Sequence, residues 1–524
     1  MKNYILKIII FICAFIISVK SFAGDGYTIK IKISGLKDTV CYLANHYGGK
    51  QYYKDTARVD ANGVFVFKGD KDLPGGIYLV IIPGTKYFEF LVTEQNISIE
   101  TDTLNLVGNL KVKRSEENKL FYGYIRYINN KRKEIDPLRK IIKRLRSDTT
   151  NTNKDSVALI KEQITKIDEE VNNYQLTFIK EHSTTLAAKI FKASMEIKIP
   201  ETPILENGRK DSLFAYRYYR EHFFDNIDLS DARLLRTPII HNKITKFIQK
   251  MTMQIPDSIN RAADFIVEKA RANKEVFKYV VHWITNTYEK SKIMGMNAVF
   301  VHMAENYYMT GDAYWIDSIQ QFRISERVKT LKPLLIGKKA KNIIMKDVYE
   351  KQVFSLHDFP GQYTIRLLSG EGCKENRGYT VQPLKAKYTI LCFWDPDCGH
   401  CKKTIPKLEA VYQKYKADDV KIYGVCTESV LAKCIAFIEK HNLTWLNVAD
   451  PCYQNNFRAD YDISSTPKIF LLDENKIIIA KQLDVKQLDD FLARLLKKKI
   501  EDEGDKEEEG KDEGKDEGKD EGSD

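Results

Sequence analysis

Two cysteines three positions apart, Cys398 and Cys401, close the run Trp394-Asp395-Pro396-Asp397-Cys398-Gly399-His400-Cys401 and are the residues best suited to chemistry in this chain of 524. Thiols at that spacing can cycle between dithiol and disulfide. The bland alternatives are half of a zinc site or a structural loop disulfide, but no second Cys/His pair stands at ligand spacing beside them. We read the pair as a redox dithiol.

The flanking residues say how the pair is held. Before it, Tyr388-Thr389-Ile390-Leu391-Cys392-Phe393-Trp394 is a short apolar run of β-branched and aromatic residues, the pattern of a strand buried on both faces. After it, Ile405, Leu408, Val411, Tyr412 and Tyr415 recur at three- and four-residue steps, which predicts a helix with Cys398 at its start. The free N–H groups of a helix N-terminus favour thiolate over thiol, so Cys398 is the expected nucleophile and Cys401, one turn in, the resolving thiol. His400 can add positive charge or a hydrogen bond to the thiolate, which stabilises the reduced form and makes the disulfide a stronger oxidant. Asp395 and Asp397 oppose it, and residue types alone leave the sign of the Cys398 shift open. Some sixty residues on, Ser465-Thr466-Pro467 precedes the apolar run Lys468-Ile469-Phe470-Leu471-Leu472, where a proline suits a cis bond that brings backbone beside the sulfurs.

These motifs give the segment from about Leu335 to Leu496 its resemblance to the thioredoxin superfamily, and within it to the exported TlpA/ResA-like thiol-disulfide oxidoreductases. Phe393-Trp394 matches the pair before the family's site, Pro406 its helix-kinking proline and Pro467 its cis-proline. Tyr423-Gly424-Val425-Cys426-Thr427-Glu428-Ser429 matches a strand whose terminal acid manages protons in that branch, which places Glu428 in that role. The resemblance implies an α/β thioredoxin-like fold that acts on protein thiols and disulfides without cofactor or metal. Two positions depart from the pattern. Cys392 stands where thioredoxin has a buried aspartate, leaving Asp395, Asp397 or Glu428 to fill its role if any residue does, and Asp397 replaces the usual tryptophan. A peroxiredoxin would need threonine at the position of Asp395.

The rest of the chain reads as a multi-domain protein: an export signal over 1–23, an antiparallel β domain over 24–110, an all-α domain over 111–330, the thioredoxin-like domain over 331–500 and a tail over 501–524. Lys2 and Lys7 lead a short apolar core, Ile8 to Val19, followed by a small-x-small site ending at Ala23, so cleavage after Ala23 is expected over an uncleaved anchor. The expected location is the periplasm or cell envelope, an oxidising compartment in which a dithiol needs a membrane-bound electron donor to stay reduced.

Alternation in Tyr27 to Ile33, Val64 to Phe67 and Phe88 to Val92, with turn residues at Asn62-Gly63 and Pro74-Gly75-Gly76, predicts the β domain. It resembles a β-sandwich-like domain of unknown function that precedes thioredoxin domains. Its Tyr42, Tyr47, Tyr52 and Tyr53 are expected to pack within the sheets. Ser115-Glu116-Glu117-Asn118 is a capping-type start for a helical hairpin, and prolines at 200, 203, 238 and 256 punctuate later helices. The stretch from Met294 to Tyr308 resembles a second domain of unknown function, with His302 read as a packed histidine rather than a ligand.

Fourteen acids against four lysines give the tail minus ten, so against plus eleven for the whole chain the first 500 residues carry plus twenty-one. The basic clusters at 131–133 and 140–146 interleave with acids, and with the export signal this argues for solvated helix faces and against nucleic acid. The tail carries no apolar side chain and is expected to be disordered. Of the remaining cysteines, Cys392 and Cys426 are expected to be inert on buried strands, while the pairing of Cys373 and Cys452 stays open. A binding or scaffold protein in which the dithiol only regulates is the alternative reading.

Overall fold

The computed structural model describes residues 26–147, 154–369 and 371–498; the expected export signal and acidic tail lie outside them. The chain divides into two compact units, Met1–Thr287 with Ala313–Trp315 and Tyr288–Asp312 with Ile316–Asp524.

The first unit opens with strands β1 (Tyr27–Ser34), β2 (Val40–Tyr47), β3 (Lys50–Arg58), β4 (Val64–Gly69), β5 (Gly76–Ile82), β6 (Lys86–Val92), β7 (Asn96–Asp102) and β8 (Lys111–Arg114). They form two four-stranded sheets, ordered β4-β1-β7-β8 and β3-β2-β5-β6. Period two decides which side chains go in: Ile29, Ile31 and Ile33 of β1 are buried while Lys30 and Lys32 are not. Every pairing is antiparallel except β1 with β7, which run parallel. Three of the four tyrosines expected to pack within the sheets do not, since Tyr42, Tyr52 and Tyr53 are exposed. Tyr42 falls on an outward-facing position of β2, while Tyr52 and Tyr53 are neighbours on the edge strand β3, which is exposed on both faces at that end.

The helical hairpin forms from α1 (Glu116–Ser147) and α2 (Lys154–Glu181). Tyr127 stacks on Tyr174 with centroids 3.8 Å apart, and Lys131 pairs with Glu170 at 2.7 Å. Ser115 starts α1 by accepting the Asn118 N–H at 3.1 Å. There follow α3 (Leu186–Ser194), α4 (Phe214–Glu221), α5 (Ile239–Thr245), α6 (Pro256–Ala270) and α7 (Lys274–Glu289).

In the second unit α8 (Asn297–Met303) and α9 (Ser318–Leu331) share a small core through Phe300, Val301, Ala304, Val328 and Leu331. The strands are β9 (Ile344–Asp347), β10 (Val353–Ser355), β11 (Thr364–Ser369), β12 (Glu375–Pro383), β13 (Tyr388–Trp394), β14 (Val420–Cys426), β15 (Leu446–Ala449), β16 (Lys468–Leu472) and β17 (Ile478–Lys481). They form one mixed sheet in the order β11-β12-β10-β9-β15-β14-β13-β16-β17. Helices α10 (Gly399–Tyr415), α11 (Leu431–Lys440), α12 (Phe457–Asp460) and α13 (Val485–Leu495) complete the unit.

Strand β13 lies inside the sheet, parallel to β14 and antiparallel to β16. Its alternate residues feed two cores, Ile390, Cys392 and Trp394 on one face and Leu391 and Phe393 on the other. That two-sided burial is why the run reads as unbroken apolar sequence.

The indole N–H of Trp394, the last residue of β13, donates to Asn447 Oδ1 at 3.2 Å, and Trp445 donates to the same oxygen at 3.0 Å. Gly424 leaves room for this pair, because a Cβ there would stand 2.8 Å from Asn447 Oδ1. Asn447→Ala strands two buried donors and should cost about 2–3 kcal/mol. A lower guanidinium midpoint followed by tryptophan fluorescence checks it.

Candidate functional site

Cys398 occupies the N-cap position of α10 with an extended backbone, and Cys401 lies in the first turn. Cys398 is half-buried and Cys401 fully buried, both as free thiols. The Cys398 Sγ donates to the carbonyl oxygen of Thr466 at 3.1 Å, and the Thr466–Pro467 peptide is cis. This places Pro467 beside the dithiol from a segment almost seventy residues away. The Asp395 N–H points at Cys401 Sγ, 3.4 Å off. His400 is exposed in the first turn of α10, and Pro406 lies within that helix.

The two thiols are driven apart in acidity. Burial works to raise the pKa of Cys398, but Thr466, the Cys401 N–H and thiol, and the His400 N–H outweigh it and hold Cys398 below an ordinary thiol. The sign that residue types left open is thus downward. Burial dominates at Cys401 and pushes it up to about 12. Cys392, wholly enclosed on β13, is pushed up by burial and by its neighbour Cys401. It fills the position of a buried acid without supplying one.

The carboxylates around the dithiol are all engaged. Asp395 accepts the Asp397 N–H at 2.8 Å on one oxygen and the Thr427 hydroxyl at 3.0 Å on the other. Asp397 meets the Lys433 ammonium at 2.7 Å, which holds its carboxyl below the usual range. Glu428 lies just past β14, accepting the Val430 N–H at 3.0 Å and pairing with Lys433 at 3.4 Å. The Val430 N–H, with Lys433 behind it, keeps Glu428 acidic against slight burial.

Several positioning contacts are not legible in the sequence. Cys426 is not the inert free thiol expected of it: it forms a disulfide with Cys434 across the start of α11. Cys434 falls on the inner face of that helix, and only folding shows that its sulfur reaches the end of β14. Cys373 pairs with Cys452, tying the β11–β12 hairpin to the loop after β15. Arg327 of α9 binds Asp462 at 2.6 Å, and Lys468 also reaches Asp462, so a helix assigned by sequence to the all-α region anchors the loop that leads to Pro467. His302 lies outside this site, its ring 3.2 Å from the Asn306 amide. Among the described residues no cluster of His, Cys, Asp or Glu is arranged to hold a metal ion.

Three family models match the chain: a domain of unknown function (DUF4369) over residues 27–121, a second (DUF5106) over 147–333, and the AhpC/TSA family over 336–481. Thioredoxin-like protein YneN of Bacillus subtilis is 28% identical over 119 residues, covering 22% of this chain and 64% of that protein. Thiol-disulfide oxidoreductase ResA of Bacillus cereus is 23% identical over 124 residues, covering 23% of this chain and 70% of that protein. The chain thus spans about two thirds of the length of these relatives. A solved domain of a possible thiol-disulfide isomerase from Cytophaga hutchinsonii is 36% identical, covering 32% of this chain and 95% of that one, with a TM-score of 0.25. Behind two domains of unknown function, residues 336–481 match the AhpC/TSA family and form a thioredoxin-like domain similar to ResA-type thiol-disulfide oxidoreductases.

Proposed function

We propose that this chain is an exported thiol-disulfide oxidoreductase that reduces or exchanges disulfides in proteins of the cell envelope. The observation that carries the reading is the opposed acidity of two thiols one helical turn apart, with the nucleophilic one beside the Thr466 carbonyl. In the reducing direction the Cys398 thiolate attacks one sulfur of a substrate disulfide, forming a mixed disulfide and releasing the other sulfur as a thiolate that takes up a proton. Cys401 then loses its proton and attacks Cys398 Sγ. The Cys398–Cys401 disulfide forms, the second substrate thiol leaves, and two electrons have passed to the substrate.

Pro467 aligns the substrate backbone, and His400 tunes the potential. Glu428 is the proposed proton acceptor for Cys401, although its ties to Val430 and Lys433 make it a weaker base than a free glutamate. A membrane-bound thiol donor returns the enzyme to the dithiol form. A peroxide reductase built on Cys398 is disfavoured by Asp395, which stands where that chemistry uses threonine.

Because Cys398 is held below an ordinary thiol and Cys401 is pushed up to about 12, the reduced protein should alkylate at Cys398 first. Its rate should climb with pH to a plateau reached below that of a free cysteine, while Cys401 stays unlabelled until strongly alkaline pH. Mass spectrometry of the iodoacetamide-labelled peptide reads both. Equal labelling of the two sulfurs at neutral pH would sink the assignment of nucleophile and resolver. Export is checked separately by the mature N-terminus, expected at Gly24.

A further inference from the structure

The loop between β14 and α11 is built as a bracket against the dithiol segment. Its first cysteine, Cys426, pairs in register with Trp394 at the end of β13, and the next N–H, of Thr427, donates to the Trp394 carbonyl at 2.8 Å. The Thr427 hydroxyl holds Asp395, and its carbonyl is held in turn by Arg458 at 2.6 Å. At the far end Val430 caps α11 without a side-chain bond, its N–H turned back to Glu428 within the loop. The Cys426–Cys434 disulfide ties the first turn of that helix covalently to the end of β14, with a Cα–Cα distance of 6.4 Å across eight residues. Its sulfurs belong to residues no more than 1% exposed, so it is sealed from thiol substrates. The residue just before Cys434 is Lys433, whose ammonium reaches Asp397, the neighbour of Cys398.

Resting on the oxidoreductase reading, we propose that the Cys426–Cys434 disulfide is a structural clamp that presents Lys433 to Asp397, making Lys433 a positioning residue that cancels the carboxylate beside the Cys398 nucleophile. Aspartate at 397 would otherwise oppose the thiolate at close range. The titratable and charged groups around Cys398 are Asp395, Asp397, His400, Cys401 and Lys402 on its own segment, Glu428 and Lys433 on the bracket and the thiol of Cys392 on β13; Lys468, next to Pro467, is paired with Asp462. Lys433 is the one cation of this set that bridges two carboxylates, Asp397 and Glu428. Its removal therefore takes the ion-pair partner from both.

The test measures the Cys398 pKa in the reduced full-length chain from the pH dependence of iodoacetamide labelling, with insulin reduction assayed in parallel. Lys433→Met should raise that pKa by about half a unit, a roughly threefold drop in labelling rate at neutral pH, since the pair is half-exposed and screened. Lys433→Arg should restore it, and adding Asp397→Asn to Lys433→Met should bring it back down. Cys426→Ala/Cys434→Ala should give the same rise and add nothing to Lys433→Met. An unchanged pKa in Lys433→Met overturns the proposal, and this surface variant decides even if the double alanine fails to fold. A folded double alanine with the parental pKa overturns the clamp. A parent that reduces no insulin yet shows these shifts would refute the oxidoreductase reading and leave the clamp standing.

Discussion

Cys398→Ser should abolish insulin reduction, leaving a rate at least a thousandfold below the parent, because a hydroxyl is barely ionised at neutral pH and cannot form the mixed disulfide. The loss should be specific to chemistry. A half-buried sulfur exchanged for oxygen leaves the core around Trp394 and Cys401 intact, so the unfolding midpoint should barely move. Cys401→Ser should behave differently. Attack by Cys398 survives, but the mixed disulfide has lost its resolving thiol, so the variant should accumulate covalent adducts with protein substrates on non-reducing gels. Full activity in Cys398→Ser would remove the oxidoreductase assignment and leave the binding or scaffold reading.

His400→Pro should lower the reduction potential and raise the Cys398 pKa. A histidine inside the dithiol ring is expected to set the potential toward roughly −180 to −230 mV, against about −270 mV for thioredoxin. Since about 30 mV is a factor of ten for a two-electron couple, the replacement should shift the thiol–disulfide equilibrium by roughly a hundredfold. Two effects add. The imidazole is lost, and so is the backbone N–H of residue 400, one of the groups that hold the Cys398 pKa down. His400→Ala removes the ring and keeps the amide, so it should fall between parent and proline variant, and its distance from each apportions the shift. Equilibration of each variant with glutathione buffers gives the potentials. If His400→Pro changes neither the potential nor the pKa, the histidine does not tune the site, and the amide contributes nothing measurable either.

What the sequence by itself determined is the machinery whose causes are local. An apolar run with no polar breaks predicts β13, three- and four-residue periodicity predicts α10, and the boundary between them puts Cys398 at the helix N-cap. Alternation in the same way predicts β1 with its isoleucines inward. Only the tertiary structure decided whatever depends on residues distant in the chain. The Cys398 shift could not be signed until the Thr466 side chain, distant in the chain, came into contact with it. Cys426 read as an inert core thiol because burial is written in its strand, whereas its partner sits on a helix and is selected by packing. The same holds for Cys373 with Cys452, 79 residues apart. Arg327 reads as one more charge on an amphipathic helix, yet it steadies the loop that carries Pro467 to the sulfurs. Periodicity records which face of an element is buried; it carries no record of which distant charge or sulfur that face will meet.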